Sequence, residues 1–328
     1  MELARRELVA GLLTAPLLLS GCTRAATSGA ALSAGGPPTA PLAVYGATMT
    51  LEIAPVFLAM RDRYPGGPPV MNGGVVSLLA EQDPADLATN AETQVLRQSV
   101  RRPDIRIIMT LVEGLYRIVA RRSAGISSLD QLRGKRIATL RATSADYFLS
   151  KMLEKAGMTA ADVTVVNMNA LQNMAPAIRA GEIDAVAIWE PFSENCRRAL
   201  GSDAIEFSGE GVYRELFNLN TTAGALADPV KRREIAAFMR AIIAATEKMN
   251  RDPSEAQALV AQSGGYTLEE VVHGWPHHDF TAGYADNMLD VLEDGERWLA
   301  AEEKRQPRSR AQLAPLVERS VYEEASRG

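Results

Sequence analysis

The sequence predicts an α/β protein of about two domains, and three observations carry that reading. From about residue 41, short apolar, β-branched runs alternate with apolar patterns of helical spacing, the order expected when helices cover the faces of a sheet. The chain has 328 residues, where a typical domain has roughly 150. Its composition, 47% hydrophobic and 23% charged, supplies a sizeable core and excludes both disorder and a polytopic membrane protein. With 35 basic against 40 acidic residues the net charge is -5, so nucleic acid is not an expected partner.

The N-terminus reads as a targeting segment. Arg5 and Arg6 form a positive start, and Leu8 to Leu19 is an apolar run of signal-peptide length, short for a bilayer span. Leu19-Ser20-Gly21-Cys22 resembles the bacterial lipobox, so residues 1–21 are expected to be removed and Cys22 to carry lipid. Each buried methylene contributes ~0.8 kcal/mol, so two or three acyl chains would hold the protein on a membrane. The Arg5-Arg6 pair also allows a twin-arginine reading. Residues 22–40 are mostly Ala, Ser, Gly, Thr and Pro and are expected to form a flexible tether.

The elements of the body follow in order. Leu42 to Tyr45 is a short strand, and Thr50 to Arg61 carries Leu51, Ala54, Phe57 and Leu58 at helical spacing. Asp86-Leu87-Ala88 is a strand, after which Asn90 is expected to cap a helix through Val95 and Leu96. Ile105 to Leu111 and Tyr116 to Ala120 suit buried strands. Ser127 and Asp130 suggest a capping box for a short helix ending at Gly134. Lys135 to Leu140 is a strand, and Thr143 or Ser144 caps a helix whose apolar face is Ala145, Phe148, Leu149, Met152, Leu153 and Ala156. Gly157 closes that helix; Val163 to Val166 is a strand; Leu171, Met174 and Ile178 line a helix stopped by Gly181. Ile183 to Ile188 is a strand with Trp189-Glu190-Pro191 at its C-terminal end. Beyond residue 225 the chain reads as largely helical, with starts at Asp228-Pro229, Asp252-Pro253 and the Thr267/Glu270 capping box, and a late amphipathic helix through Met288, Leu289, Leu292 and Leu299.

The segment from Gly125 to Met158, continued from Asn167 to Phe192, resembles the second lobe of the periplasmic solute-binding proteins of ABC importers. The branch is the one that includes sulfonate, taurine and nitrate binders and the thiamine-precursor (NMT1/THI5-like) binders. Gly125-Ile126, Leu129, Leu132, Gly134-Lys135, the Thr143-Ser144 turn, Ala180-Gly181, Asp184-Ala185 and Trp189-Glu190-Pro191 carry the likeness. It implies a two-lobe periplasmic-binding-protein type II fold, each lobe a mixed sheet flanked by helices, joined by two crossovers, with ligand held between. The first lobe would be 41–120 and 225–328, the second 121–224, with crossovers near Tyr116-Arg117 and near Asn220 to Gly224. It also implies a small-molecule ligand and a permease as partners, a lipid-anchored extracytoplasmic location, and a monomer.

Ligands of open α/β sheets sit beyond the carboxyl ends of strands. Thr143 and Ser144 in one lobe, and Thr48, Asn90 and Thr93 in the other, occupy such turns, where each is either a plain cap or a ligand contact. Trp189 offers a stiff apolar face and Glu190 a fixed acceptor; in the family's amine-bearing sulfonate binders an acidic residue at the Glu190 position faces the amine. Tyr116 and Asn220 lie at the expected crossovers. Glu92, Glu113 and Glu190 fall near expected cleft positions, whereas Arg141 is the one base beside the second-lobe turn, which favours a cationic or neutral polar ligand over a small anion.

Other chemistry finds little support in the residues. His273 and His277 are four apart but Pro276 interrupts the turn, so a surface or lobe-edge role for them, for His278 and for Trp275 is expected rather than a metal site. Cys196 falls on the core face of its helix and reads as an inert thiol. No cofactor motif, catalytic triad, Walker loop or zinc-protease motif is present. The expected function is a solute receptor of an ABC importer. The alternatives are an enzyme on the same scaffold, of desulfinase or pyrimidine-synthase type, and a ligand-presenting sensor.

Overall fold

The computed structural model describes residues 41–327. The expected signal peptide, the Cys22 lipid site and the tether lie outside the described residues. Among the described residues eleven strands form two mixed sheets. They are β1 (Val44–Gly46), β2 (Met71–Asn72), β3 (Leu87–Ala91), β4 (Ile105–Leu115), β5 (Arg117–Arg121), β6 (Arg136–Thr139), β7 (Thr164–Asn167), β8 (Ala185–Ile188), β9 (Ala204–Ser208), β10 (Arg214–Thr222) and β11 (His278–Gly283). The first sheet has the order β11-β4-β10-β3-β1-β2 and the second β7-β6-β8-β5-β9. In the first, β1 runs parallel to β2 and β3, and β10 runs antiparallel to β3 and β4.

Each sheet is covered on both faces, which is why its inner strands read as unbroken apolar runs. One face of the first sheet packs on the helices Ala54–Arg63 and Pro229–Arg251 through Phe57, Phe238 and Ile242. The other face packs on Glu92–Ser99 and Met288–Glu302 through Leu96, Met288 and Leu292. The second sheet has its own core of Ile118, Ile137, Phe148, Met152, Ile178 and Val186. Phe148 is fully buried there, and truncating such a side chain costs about 3–5 kcal/mol.

Local signals place the helices. The Thr143 hydroxyl accepts from Ala145 N–H (3.2 Å) to start Ser144–Lys155. The Asp228 carboxylate caps Pro229–Arg251 through the N–H groups of Val230 and Lys231, and Thr267 with Glu270 forms the capping box of Leu268–Gly274. Two expected caps differ. The Asn90 side chain accepts from the distant Val75 N–H, leaving Ala91 at the start of Glu92–Ser99. Ser127 bonds Gln131, and Ser128 begins the 3-10 turn Leu129–Leu132 without a side-chain cap. Strand β11 interrupts a region expected to be helical.

The chain passes between the sheets twice. Tyr116 alone separates β4 from β5, and 209–213 links β9 back to β10. The expected return near Asn220 to Gly224 is therefore corrected: Asn220 pairs with Ala88 inside the first sheet, and Gly224 lies within the helix Ala223–Ala227. The two passages touch, Gly209 N–H donating to the Tyr116 carbonyl at 2.8 Å. A Cβ at Gly209 would lie 2.8 Å from that oxygen and 2.9 Å from the Phe148 ring, so only glycine allows the approach. Among the described residues no helix is long and apolar enough to cross a membrane.

Candidate functional site

The carboxyl ends of strands from both sheets meet around Tyr116. Its hydroxyl donates to Glu215 Oε1 (2.9 Å) on β10 and accepts from Ser144 Oγ (3.0 Å) at the start of a second-sheet helix. Glu215 and His278 both pair with Gly114, so the three form one cross-strand row with side chains on the same face. Because Gly114 has no side chain, Glu215 Oε2 lies over it, 3.3 Å from where a Cβ would be. The short 3-10 turn Leu51–Ile53 after β1 brings in Glu52, whose Oε1 lies 3.7 Å from His278 Nε2. Glu92, following β3, accepts from the Tyr213 hydroxyl (2.7 Å) and from Leu216 N–H (2.9 Å).

Three carboxylates thus lie close together and buried: Glu52 and Glu215 are 2% exposed and Glu92 is 0%. Taking an ionised carboxylate out of water costs several kcal/mol unless it is paired. Glu52 Oε2, Glu215 Oε2 and Thr93 Oγ1 have no hydrogen-bond partner among the described residues. Burial raises Glu92 to about 7 despite its two donors. Burial also pushes Glu215 far above the usual carboxylate range, and the charges of Glu52 and Glu92 push it further. Burial, with the charges of Glu215 and Glu52, holds the Tyr116 phenol well above its ordinary value. For His278, burial favours the neutral ring, but the adjacent Glu52 outweighs it and raises the imidazole.

A second buried cluster centres on Arg117 of β5. Its guanidinium donates to Glu190 Oε1 (2.8 Å) and Glu194 Oε2 (2.8 Å) and also to Glu206. The other Glu190 oxygen accepts from Glu194 N–H (2.9 Å), so both oxygens of Glu190 are engaged. Burial raises Glu190, with Arg117 opposing. Glu194 is held low, because Arg197 and Arg117 overcome its burial. His277 Nε2 approaches Glu190 to 3.9 Å from the opposite half, and burial followed by the Arg117 charge lowers its ring to about 4.

Polar contacts join the halves around these clusters. Gln94 donates to the Ala142 carbonyl (2.7 Å), Tyr147 to Asp294 (2.5 Å) and Asn195 to Glu270 (2.7 Å). Lys151 pairs with Asp294 (3.1 Å) and Arg198 with Glu269. Tyr147 packs on Trp298 with ring centres 5.0 Å apart.

The structure brings some of the sequence-predicted residues together and disperses others. Tyr116 and Ser144 meet at Glu215, and Thr93 is buried on the helix begun by Glu92. Thr143 serves as a helix cap and Thr48 bonds Thr50 (2.7 Å). Asn90 is spent on the Val75 backbone and Asn220 on the carbonyls of Ala88 and Asn218. Glu113 lines a separate surface groove with Tyr147, Arg214 and Asp294. Trp189 is buried with its Nε1 unpartnered among the described residues. Arg141 points to Glu302 (3.8 Å) from a half-exposed position. His278 is buried rather than at a surface edge, and Trp275 packs on Phe280 at 4.7 Å. Burial pushes the Cys196 thiol up to about 12.

Glu52, Glu215 and Arg117 were missed as site residues. The available signal was a charge inside an apolar strand or turn, as in Leu51-Glu52-Ile53 and Glu215-Leu216-Phe217.

A family model described as NMT1/THI5 like matches residues 68–256, more than half of the chain. A Haemophilus influenzae protein, named provisionally for thiamine biosynthesis, is 28% identical over 190 residues, covering 56% of this chain and 58% of that protein. A Brucella abortus protein, named provisionally as a binding protein, is 38% identical over 68 residues, 21% of each. The match thus spans little more than half the length of the first of these relatives and about a fifth of the second. Among solved structures, the alkanesulfonate-binding protein SsuA of Xanthomonas axonopodis pv. citri, bound to MOPS, is similar with TM-score 0.64 and 20% identity, over 84% of this chain and 97% of that one. The periplasmic aliphatic sulphonate-binding protein SsuA of Escherichia coli gives 0.66 and 14%, over 82% and 89%. The desulfurization enzyme DszB gives 0.57 and 12%, over 87% and 98%. At these identities the likeness is one of fold.

Proposed function

The chain belongs to the NMT1/THI5-like family and has the periplasmic-binding-protein fold; from that premise we propose that it is the solute receptor of an ABC importer. It captures a small polar organic ligand between two lobes outside the cytoplasmic membrane, held there by lipid on Cys22, and delivers it to the permease. The lobes are the two sheets with their helices, hinged at Tyr116 and at 209–213.

One observation carries this reading: the halves meet through polar side chains around an interior of buried, incompletely partnered groups, centred on the Tyr116–Glu215–Ser144 junction. A structural core would have those groups paired or replaced by apolar ones. Ligand that bridges both lobes favours the closed form by the contacts it makes only there. Tyr116, Ser144, Thr93 and Trp189 are the residues assigned to the ligand, with Thr48 and Thr143 at the rim.

A cysteine-dependent enzyme on this scaffold would need a reactive thiol. Cys196, buried and held as a thiol near neutral pH, does not supply one. Native mass spectrometry of protein purified without denaturation tests the proposal. One small molecule per chain, released unchanged on unfolding, is expected; release of a chemically converted molecule favours the enzyme reading, and an empty protein that binds nothing from cell extract contradicts both.

A further inference from the structure

We propose that the ligand carries a protonated nitrogen, an amine or amidine group on a small organic body, and that this group docks between the carboxylates of Glu52 and Glu215. The inference rests on the receptor reading and adds to it the ligand's charge.

The charged groups around this point come from several elements, and the Tyr266 phenol beyond the helix Ser254–Gly264 also faces Glu52. The turn after β1 gives Glu52, the helix Glu92–Ser99 gives Glu92, β10 gives Glu215 and β11 gives His278. The crossovers give the Tyr116 and Tyr213 hydroxyls, and the second sheet gives the Ser144 hydroxyl. Glu52 faces the His278 imidazole, and Glu190 of the second sheet acts on it as well. Among the described residues no lysine or arginine pairs with Glu52, Glu92 or Glu215; Arg117, the buried base of the second sheet, is taken by Glu190, Glu194 and Glu206.

The hydrogen-bond inventory makes the deficit specific. Tyr116, itself bonded to Ser144, donates to Glu215 Oε1, and His278 lies near Glu52 Oε1, while Oε2 of each glutamate is buried without a partner among the described residues. What is lacking is a donor with positive charge. A protonated amine or amidine supplies two or more N–H donors and one charge, the chemical complement of two unpartnered carboxylate oxygens. A sulfonate in the same place would set another anion beside acidic groups whose ionised forms are already disfavoured by burial, so it would keep them protonated and gain no ion pair with them. A metal ion is disfavoured by geometry: among the described residues, no three acidic, His or Cys side chains converge as metal ligands do.

The role of the site differs from that of a structural ion pair. A structural Glu52–His278 pair would leave Glu215 unexplained, since Glu215 contacts only hydroxyls and carries a raised affinity for its proton. Burial and the neighbouring carboxylates favour the protonated form of Glu215 in the ligand-free protein. When a cation binds, the proton leaves to solvent and the carboxylate pairs with the ligand nitrogen, so one proton is released per cation captured.

The test compares matched probes on the full-length protein at pH 7.5 by thermal shift and calorimetry: benzylamine, benzamidine and 4-aminopyrimidine against benzenesulfonate and taurine. Cationic or amidine-like probes are expected to raise the melting temperature and to bind more tightly as pH rises from 6 to 8. Glu52→Gln and Glu215→Gln should each weaken that binding at least tenfold while leaving the ligand-free melting temperature equal or higher. Stabilisation by sulfonates alone overturns the charge assignment and leaves the receptor reading intact; no response to any probe overturns the charge assignment and counts against the receptor. If either glutamine variant melts markedly lower, its carboxylate is structural and the proposal fails.

Discussion

The Tyr116 hydroxyl donates to Glu215 Oε1 at 2.9 Å, and this bond joins the passage between the two sheets to a carboxylate of the candidate ligand site. The same hydroxyl accepts from Ser144, so one phenol couples both halves at that site. Tyr116→Phe should weaken ligand binding about tenfold and lower stability by about 1–3 kcal/mol, because Glu215 and Ser144 lose their shared buried partner. Urea denaturation and calorimetry check the two effects. Wild-type values for both would remove Tyr116 from the site.

Ligand-free stability should fall as pH rises through neutrality. Glu92 is raised from 4.5 to about 7 by burial, so the fold prefers its protonated form. Its contribution is fully present below pH 4.5 and is lost as pH rises through 7, a loss on the order of 3 kcal/mol at most. Glu92→Gln should flatten the change in urea midpoint between pH 5 and pH 8. An equal slope in wild type and variant would show that Glu92 does not titrate in that window.

Glu296 predicts the opposite slope at acid pH. Buried in its helix, it is nonetheless held down at about 2 by Arg305 and Arg308. A depressed carboxylate stabilises above its unfolded value and loses that contribution as pH falls toward 2. Glu296→Gln should therefore reduce stability at pH 7 more than at pH 3, measured by thermal denaturation at both.

Arg117 holds three carboxylates, two of them buried. Arg117→Ala leaves Glu190 and Glu194 without it and should destabilise by about 3–5 kcal/mol. Arg117→Ala with Glu190→Gln should recover part of that loss, because fewer buried charges remain unpaired. Complete additivity of the two changes in urea unfolding would contradict the pairing.

How much of this was legible in the sequence depended on how local each signal is. The helix Ser144–Lys155 and its Thr143 cap follow from spacing and one hydroxyl, both readable within a dozen residues. Strands β10 and β11 were not readable, because their partners lie about a hundred or more residues away: Asn218 pairs with Thr110, and His278 with Gly114. The return passage was misplaced for the same reason, since only sheet pairing shows that Asn220 is interior. At the site, Tyr116 and Ser144 were readable as strand-end residues. Glu52 carried only the weak signal of a charge between Leu51 and Ile53, because the groups that bury it, His278 of β11 among them, are distant in sequence.

The central claim is that two lobes close on one guest. Small-angle X-ray scattering on protein stripped of ligand by unfolding and refolding, with the carried-over molecule then titrated back, addresses it most directly. The account predicts a radius of gyration that shrinks and saturates at one molecule per chain. A radius that stays constant while that molecule binds would contradict it.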